Sequence, residues 1–223
     1  MAGSRSPFLK SISLEGFLSF GPGESTIPLL PLNVLIGPNG AGKSNLIEAI
    51  SVLRAVPRDL PVPFRKGGGV RDWLWGGPPR AERARISITV GEGHGRRFKK
   101  DSPSLQYSLT FGEQGGSFVV LDERLENELP SAGESGRHVH LSYRGGKVHI
   151  ASGKTLKQLS LARMDQTQSI LSQRKDSDYY AQMTRLAASL DEIRIYRSWT
   201  FGPEAVVRES SRIDDRNDRL SET

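Results

Sequence analysis

The chain has 223 residues, 36% of them hydrophobic and 25% charged, with a formal net charge of +6, a balance ordinary for a soluble protein of one large domain or two small ones. It holds no cysteine, which excludes disulfides and Cys-ligated metals. No apolar run approaches a membrane span and residues 1–7 carry no apolar signal core, so no membrane partner is expected and the expected compartment is the cytoplasm. The surplus of Lys and Arg is compatible with nucleic acid, but it is spread over small clusters at residues 80–85, 96–100 and 194–197, as on a solvated surface. From the amino terminus, residues 8–17 alternate loosely around Leu9, Ile12 and Leu14 and predict a strand ending at Gly16 and Phe17. Phe20, Gly21, Pro22 and Gly23 turn the chain towards a second apolar run at residues 27–32.

Val34, Leu35 and Ile36 then predict a buried strand, GPNGAGKS follows at residues 37–44, and Leu46, Ile47, Ile50 and Leu53 mark one face of a helix. Strand, glycine-rich turn and helix form the context that the phosphate-loop pattern G-x-x-x-x-G-K-[ST] requires. Gly37, Gly40 and Gly42 lack a Cβ, so the backbone of Gly37, Pro38, Asn39, Gly40, Ala41 and Gly42 is free to turn its N–H groups onto a polyphosphate. The helix start adds unpaired N–H groups and the positive end of its dipole. Lys43 is placed to reach the β- and γ-phosphates and the Ser44 hydroxyl to ligate Mg²⁺, so ATP and Mg²⁺ are the expected ligands.

The stretch LKSISLEGFLSFGPGESTIPLLPLNVLIGPNGAGKSNLIEAI, residues 9–50, resembles the amino-terminal start of the ABC-type ATPases of the RecF, SMC and Rad50 group. More narrowly it is similar to bacterial AAA-type ATPases related to the overcoming-lysogenization-defect nucleases and to phage-defence ATPases. Gly16-Phe17, Asn39, Asn45 and Glu48 all fit the family's pattern, which adds Asn45 to the cofactor-binding set. The resemblance implies a composite ATP site. A loop glutamine helps hold Mg²⁺, a Walker B Asp-Glu pair supplies a metal ligand and a base, and a serine-glycine signature from a second subunit closes over the γ-phosphate. It also implies heads that associate as a homodimer or hetero-oligomer around ATP, in DNA-linked work such as repair or phage defence.

Pro57, Pro61 and Pro63 end the first helix and lead through Gly67, Gly68 and Gly69 to Trp73 and Trp75, expected to close a loop over the core. From Arg85 the pattern has period two, through residues 86–90, 105–111, 118–121, 139–143 and 147–150, and predicts an antiparallel lobe over residues 85–150. His138 and His140 alternate within it with no carboxylate at ligand spacing, which argues against a metal site. FVVLDE at residues 118–123 imitates a Walker B strand, with Asp122 and Glu123 in the acidic positions, but it follows a hairpin turn and so is expected to pair antiparallel, outside a parallel core.

Residues 155–174 are rich in Leu and Gln and predict a broken helix. The family's loop glutamine belongs in this region, and Gln168 is assigned to it as a second metal ligand beside Ser44. Residues 176–178 offer a helix cap before Tyr180, Met183, Leu186, Ala187 and Leu190, which keep helical spacing, and residues 193–196 read as a strand returning to the core. Residues 201–223 are charged and poor in apolar groups, as in a tail or linker.

The resulting expectation is an α/β fold, an incomplete ABC-type P-loop head with an antiparallel β-rich lobe. Residues 1–200 form its amino-terminal part, with strands, phosphate loop and first helix at 1–56, the lobe at 85–150, and helices with a returning strand at 155–197. No signature serine-glycine and no terminal Walker B strand follow Tyr196, so ATP binding with weak or absent turnover is expected of the chain by itself. Two alternatives are a self-contained P-loop NTPase using Asp122 and Glu123, and a DNA-binding adaptor with a structural nucleotide. No paired-arginine lid favours a small-molecule kinase.

Overall fold

The computed structural model describes residues 8–91, 103–130, 133, 135–152, 155–159, 164–174 and 180–197. The chain forms two compact units, Met1–Asp191 and Glu192–Thr223. The first is built on one eight-stranded sheet in the order β2-β1-β3-β4-β5-β6-β7-β8. Its strands are β1 (Leu9–Glu15), β2 (Ser25–Pro28), β3 (Arg83–Val90), β4 (Leu105–Gln114), β5 (Ser117–Asn127), β6 (Val139–Arg144), β7 (Lys147–Ser152) and β8 (Thr155–Leu159). Every neighbouring pair is antiparallel.

Alternation sets which face is buried. Ala84, Ile86, Ile88 and Val90 of β3 and Leu105, Tyr107, Leu109 and Phe111 of β4 all point into the core. The β4–β5 turn closes through Gly115 and Gly116 at φ 59 and 81, the left-handed pair that matches the twist of a two-residue hairpin. The pairing of β4 with β5 slips between Thr110 and Phe111, where Asp122 and Val120 are the successive partners and Leu121 is left without one. The Val120 N–H donates instead to the carbonyl of Gln166 at 2.8 Å.

Among the described residues four α-helices accompany the sheet: α1 (Lys43–Ala55), α2 (Val62–Lys66), α3 (Ile170–Gln173) and α4 (Ala181–Asp191). Leu46, Ala49, Val52 and Leu53 are the buried face of α1; Ile47 is exposed and Ile50 half-buried, so the apolar stripe lies one position off the predicted one. Met183, Leu186, Ala187 and Leu190 of α4 are buried as their spacing predicts. The rings of Phe17, Phe64, Trp73, Phe111 and Phe118 form one cluster, and Trp73 closes over the core as expected.

Three predicted elements differ. Residues 34–36 form no strand, and Val34, Leu35 and Ile36 are 73%, 44% and 90% exposed. Burial of a strand comes from neighbouring strands, and among the described residues none pairs with this segment. Residues 155–159 are the strand β8 rather than helix, because they pair back onto β7 from Ser152 opposite Thr155, and only the short α3 remains of the predicted broken helix. Residues 193–196 carry no regular secondary structure and belong to no sheet among the described residues. The proposed cap at residues 176–178, the basic cluster at 96–100 and the tail at 201–223 lie outside the described residues.

His138 and His140 meet edge to face with ring centroids 4.7 Å apart, and His140 Nε2 shares a hydrogen bond with Asn127 Oδ1 at 2.8 Å. Burial, and secondarily the His138 ring, lowers the His140 pKa from 6.5 to about 4. The unfolded chain therefore binds the extra proton first as pH falls, so the stability linked to this ring is present above pH 6.5 and is lost as pH falls towards 4. His140→Asn is expected to remove that part of the acid destabilisation. The check is the difference in Tm between the parent and the variant across this range, which should narrow steadily with acid.

Candidate nucleotide site

The loop at residues 37–44 ends in a left-handed turn. Gly40 and Gly42 both have φ 84, a conformation that costs any side-chain-bearing residue a clash between Cβ and the carbonyl. Gly42 is the N-cap of α1, and no side chain caps that end. The Leu46 N–H reaches back to the Gly42 carbonyl at 3.1 Å and the Ala41 N–H to the Pro38 carbonyl at 3.3 Å. The N–H groups of the first turn are thus unclaimed by side chains, and no acidic residue occupies that turn.

Lys43 curls over its own loop. Its Nζ donates to the carbonyls of Gly37 at 2.8 Å and Pro38 at 2.7 Å. Ser44 is exposed at the second helical position. Space around the turn is open at Gly40, where an added Cβ would meet nothing within 4 Å; at Gly42 it would stand 2.8 Å from Ser19 Oγ and 3.7 Å from the Phe20 ring. Main-chain donors, one ammonium and one exposed hydroxyl on an open turn are a donor set that fits a polyphosphate with its Mg²⁺.

Asn45 Nδ2 donates to Ser19 Oγ at 2.8 Å. Ser19 comes from the first hairpin, 26 residues earlier, and nothing in the spacing of the sequence announces the contact.

The other candidates stand elsewhere. Gln168 Nε2 donates to Asp59 Oδ1 at 2.8 Å and its Oε1 accepts from the Leu60 N–H at 3.1 Å. Asp59 and Leu60 follow the carboxyl end of α1, whereas Ser44 is at its start, and roughly 16 Å of helix rise lies between the two ends. The structure does not bring Gln168 and Ser44 together.

Asp122 is bonded by Arg144 Nε at 2.6 Å. Glu123 is fully buried and accepts from Tyr107 Oη at 3.0 Å, Ser169 Oγ at 2.6 Å and the Ile170 N–H at 2.8 Å. Burial pushes its pKa above the ordinary carboxylate value, against the opposing pull of the Ser169 and Ile170 hydrogen bonds. It pins α3 to the sheet. The strand that carries both acids pairs antiparallel on each side, so the FVVLDE segment lies in the lobe, as the turn before it predicts.

Among the described residues no group of three or more His, Cys, Asp or Glu side chains is placed to hold a metal. Two cavities open away from the loop. One of about 160 Å³ is lined by His138, His140 and the start of α4, and one of about 560 Å³ lies at the β4–β5 turn beside Arg71 and Arg80. No helix among the described residues is long and apolar enough to cross a membrane.

Comparison with known proteins finds sequence relatives among chromosome partition proteins. The chromosome partition protein Smc of Mycolicibacterium paratuberculosis (strain ATCC BAA-968 / K-10) is 28% identical over 157 residues, 63% of this chain and 12% of that protein. That of Synechococcus sp. (strain ATCC 27144 / PCC 6301 / SAUG 1402/1) is 50% identical over 44 residues, 19% of this chain and 4% of that protein. The chain therefore spans about an eighth or less of the length of these relatives. A solved chain from work on ATP-driven dimerization and DNA-stimulated activation of SMC ATPases superposes with a TM-score of 0.41 at 24% identity, covering 53% of this chain and 69% of that one. The family model described as "AAA domain, putative AbiEii toxin, Type IV TA system" matches residues 32–146, just over half of the sequence, and the chain belongs to that family of AAA domains.

Proposed function

We propose that this chain supplies the nucleotide-binding part of an ATPase head: residues 37–45 wrap the phosphates of ATP, Lys43 neutralises β- and γ-phosphate charge, and Ser44 ligates Mg²⁺. The observation that carries the reading is the pair of left-handed glycines leading into a helix whose first-turn N–H groups no side chain caps. ATP-dependent association of such heads, acting on DNA in the cytoplasm in repair or phage defence, is the setting that the sequence resemblance supports.

A second observation bears on completeness of the site. Leu30, Leu32, Val34, Leu35 and Ile36 are exposed along the segment that bends at residues 31–32 and leads into the loop. An apolar unpaired segment is a template for strand addition. A further strand-bearing segment that pairs here and brings an acidic pair to the Ser44 side would supply the base for hydrolysis. In this arrangement Asp122 and Glu123 serve the lobe.

The test is single-turnover hydrolysis of Mg²⁺·ATP by the 223-residue chain. The expected result is bound ATP that persists, with Asp122→Asn and Glu123→Gln leaving that outcome unchanged. Turnover by the chain that either substitution abolishes in a folded variant would identify a self-contained enzyme and overturn this reading.

A further inference from the structure

We infer that Ser19 is a positioning residue for the phosphate loop, and that the hairpin carrying it couples the loop to the segment of Trp73 and Trp75. The inference rests on the nucleotide reading for its consequence, although its geometry stands without a ligand.

The hairpin is tightly determined. Phe17 and Phe20 exchange both backbone hydrogen bonds, at 2.9 Å and 2.8 Å, around the two-residue tip Leu18-Ser19. Leu18 has φ 48, the left-handed region that a leucine adopts only when its surroundings impose it. Those surroundings are the tryptophan segment. The Leu18 N–H donates to the Trp73 carbonyl at 2.9 Å, the Trp75 N–H donates to the Gly16 carbonyl at 2.8 Å, and Phe17 bridges Leu74. The Phe17 ring also stands 6.0 Å from that of Trp73.

The tip is aimed at the loop. Ser19 Oγ accepts from Asn45 Nδ2 at 2.8 Å, on the first turn of α1. The same oxygen lies 2.8 Å from where a Cβ on Gly42 would be, so it walls one side of the left-handed turn. Ser19 is itself exposed, and its place is therefore not set by any need to fill the core. One hydroxyl thus holds the helix start through Asn45 and backs the glycine that aims the loop amides. A loop held in its bound shape before the ligand arrives loses less entropy on binding.

Two readouts on the full 223-residue chain test the inference. In the nucleotide-free protein, Ser19→Ala is expected to speed amide hydrogen exchange at Leu46, Leu18 and Trp75, the hydrogen-bonded amides on the two sides of the hairpin, with Ser19→Thr restoring the parent rates. In titrations with Mg²⁺·ATP, Ser19→Ala is expected to weaken affinity about 5-fold, the loss of one hydrogen bond of ordinary strength, and to diminish the tryptophan fluorescence change that binding produces. Exchange at these amides that is unchanged in Ser19→Ala would overturn the inference whatever the nucleotide result. Altered exchange in a chain that binds no ATP would leave the positioning role of Ser19 standing and count against the nucleotide reading alone.

Discussion

Lys43→Ala is expected to lower the affinity for Mg²⁺·ATP by about thirtyfold to several thousandfold, because removing one partner of a close charge pair costs about 2–5 kcal/mol. In the free loop the ammonium rests on two main-chain carbonyls, those of Gly37 and Pro38 at 2.8 Å and 2.7 Å. A triphosphate offers it stronger, charged acceptors. The loss should appear almost wholly in binding, since the donor and its two acceptors are exposed and exposed substitutions seldom change stability by more than about 0.5 kcal/mol. Lys43→Arg separates charge from shape. It keeps the positive charge, but a planar guanidinium fork does not reproduce a compact ammonium between two carbonyls, so an intermediate loss is expected. Calorimetric titration of the three proteins with Mg²⁺·ATP checks the order; equal affinities would remove Lys43 from the site.

Phe64→Ala is expected to destabilise the fold by about 3–5 kcal/mol, the combined cost of lost burial and of the cavity left behind. The Phe64 side chain is 1% exposed. Its ring lies 4.9 Å from Trp73, 4.9 Å from Phe111 and 4.6 Å from Phe118, centroid to centroid. It therefore joins α2, the turn at Val70–Trp73, β4 and β5 in one contact. For a chain of this length each kcal/mol moves Tm by about 2–4 °C, so thermal unfolding should fall by roughly 6–20 °C. Leu129→Ala is the matched control, because Leu129 is 70% exposed and its truncation should leave Tm nearly unchanged. A Phe64→Ala variant as stable as the control would mean that the aromatic cluster is not the keystone of this part of the core.

Legibility in the sequence followed the range of the interactions. The left-handed need of Gly40 and Gly42 and the helix that starts at Lys43 are written in neighbouring residues, and the structure places these as the pattern predicts, although the strand the pattern puts before the loop does not form. Period-two alternation likewise located β3 to β7, because in a two-faced sheet side-chain polarity reports the face directly. The misreadings share one cause. Val34, Leu35 and Ile36 have strand composition, yet whether such a run is buried depends on strands elsewhere in the chain. Leu156 and its neighbours look helical by composition, but a return onto β7 from Ser152 is a tertiary contact that outweighs propensity. Residues 193–196 have the alternation of a strand yet join no sheet among the described residues.

The same distinction separates the site residues. Lys43 and Ser44 are legible as candidates because the motif keeps them adjacent. The first-hairpin contact at Ser19 spans 26 residues and leaves no periodic trace. The position of Gln168 after the lobe is a topological cue that does not fix which way an amide faces, and it faces Asp59 and Leu60. FVVLDE shows the value of order over composition, for its acids match a catalytic strand while the hairpin before it assigns them to the lobe.

The most direct measurement is the backbone amide spectrum of residues 37–46 during titration with Mg²⁺·ATP and, separately, with adenosine. If main-chain donors of this loop enclose the phosphates, the amides of Gly40, Gly42, Lys43 and Ser44 shift with ATP and stay in place with adenosine. Shifts of equal size with both ligands, or ATP-induced shifts confined to other parts of the chain, would contradict it.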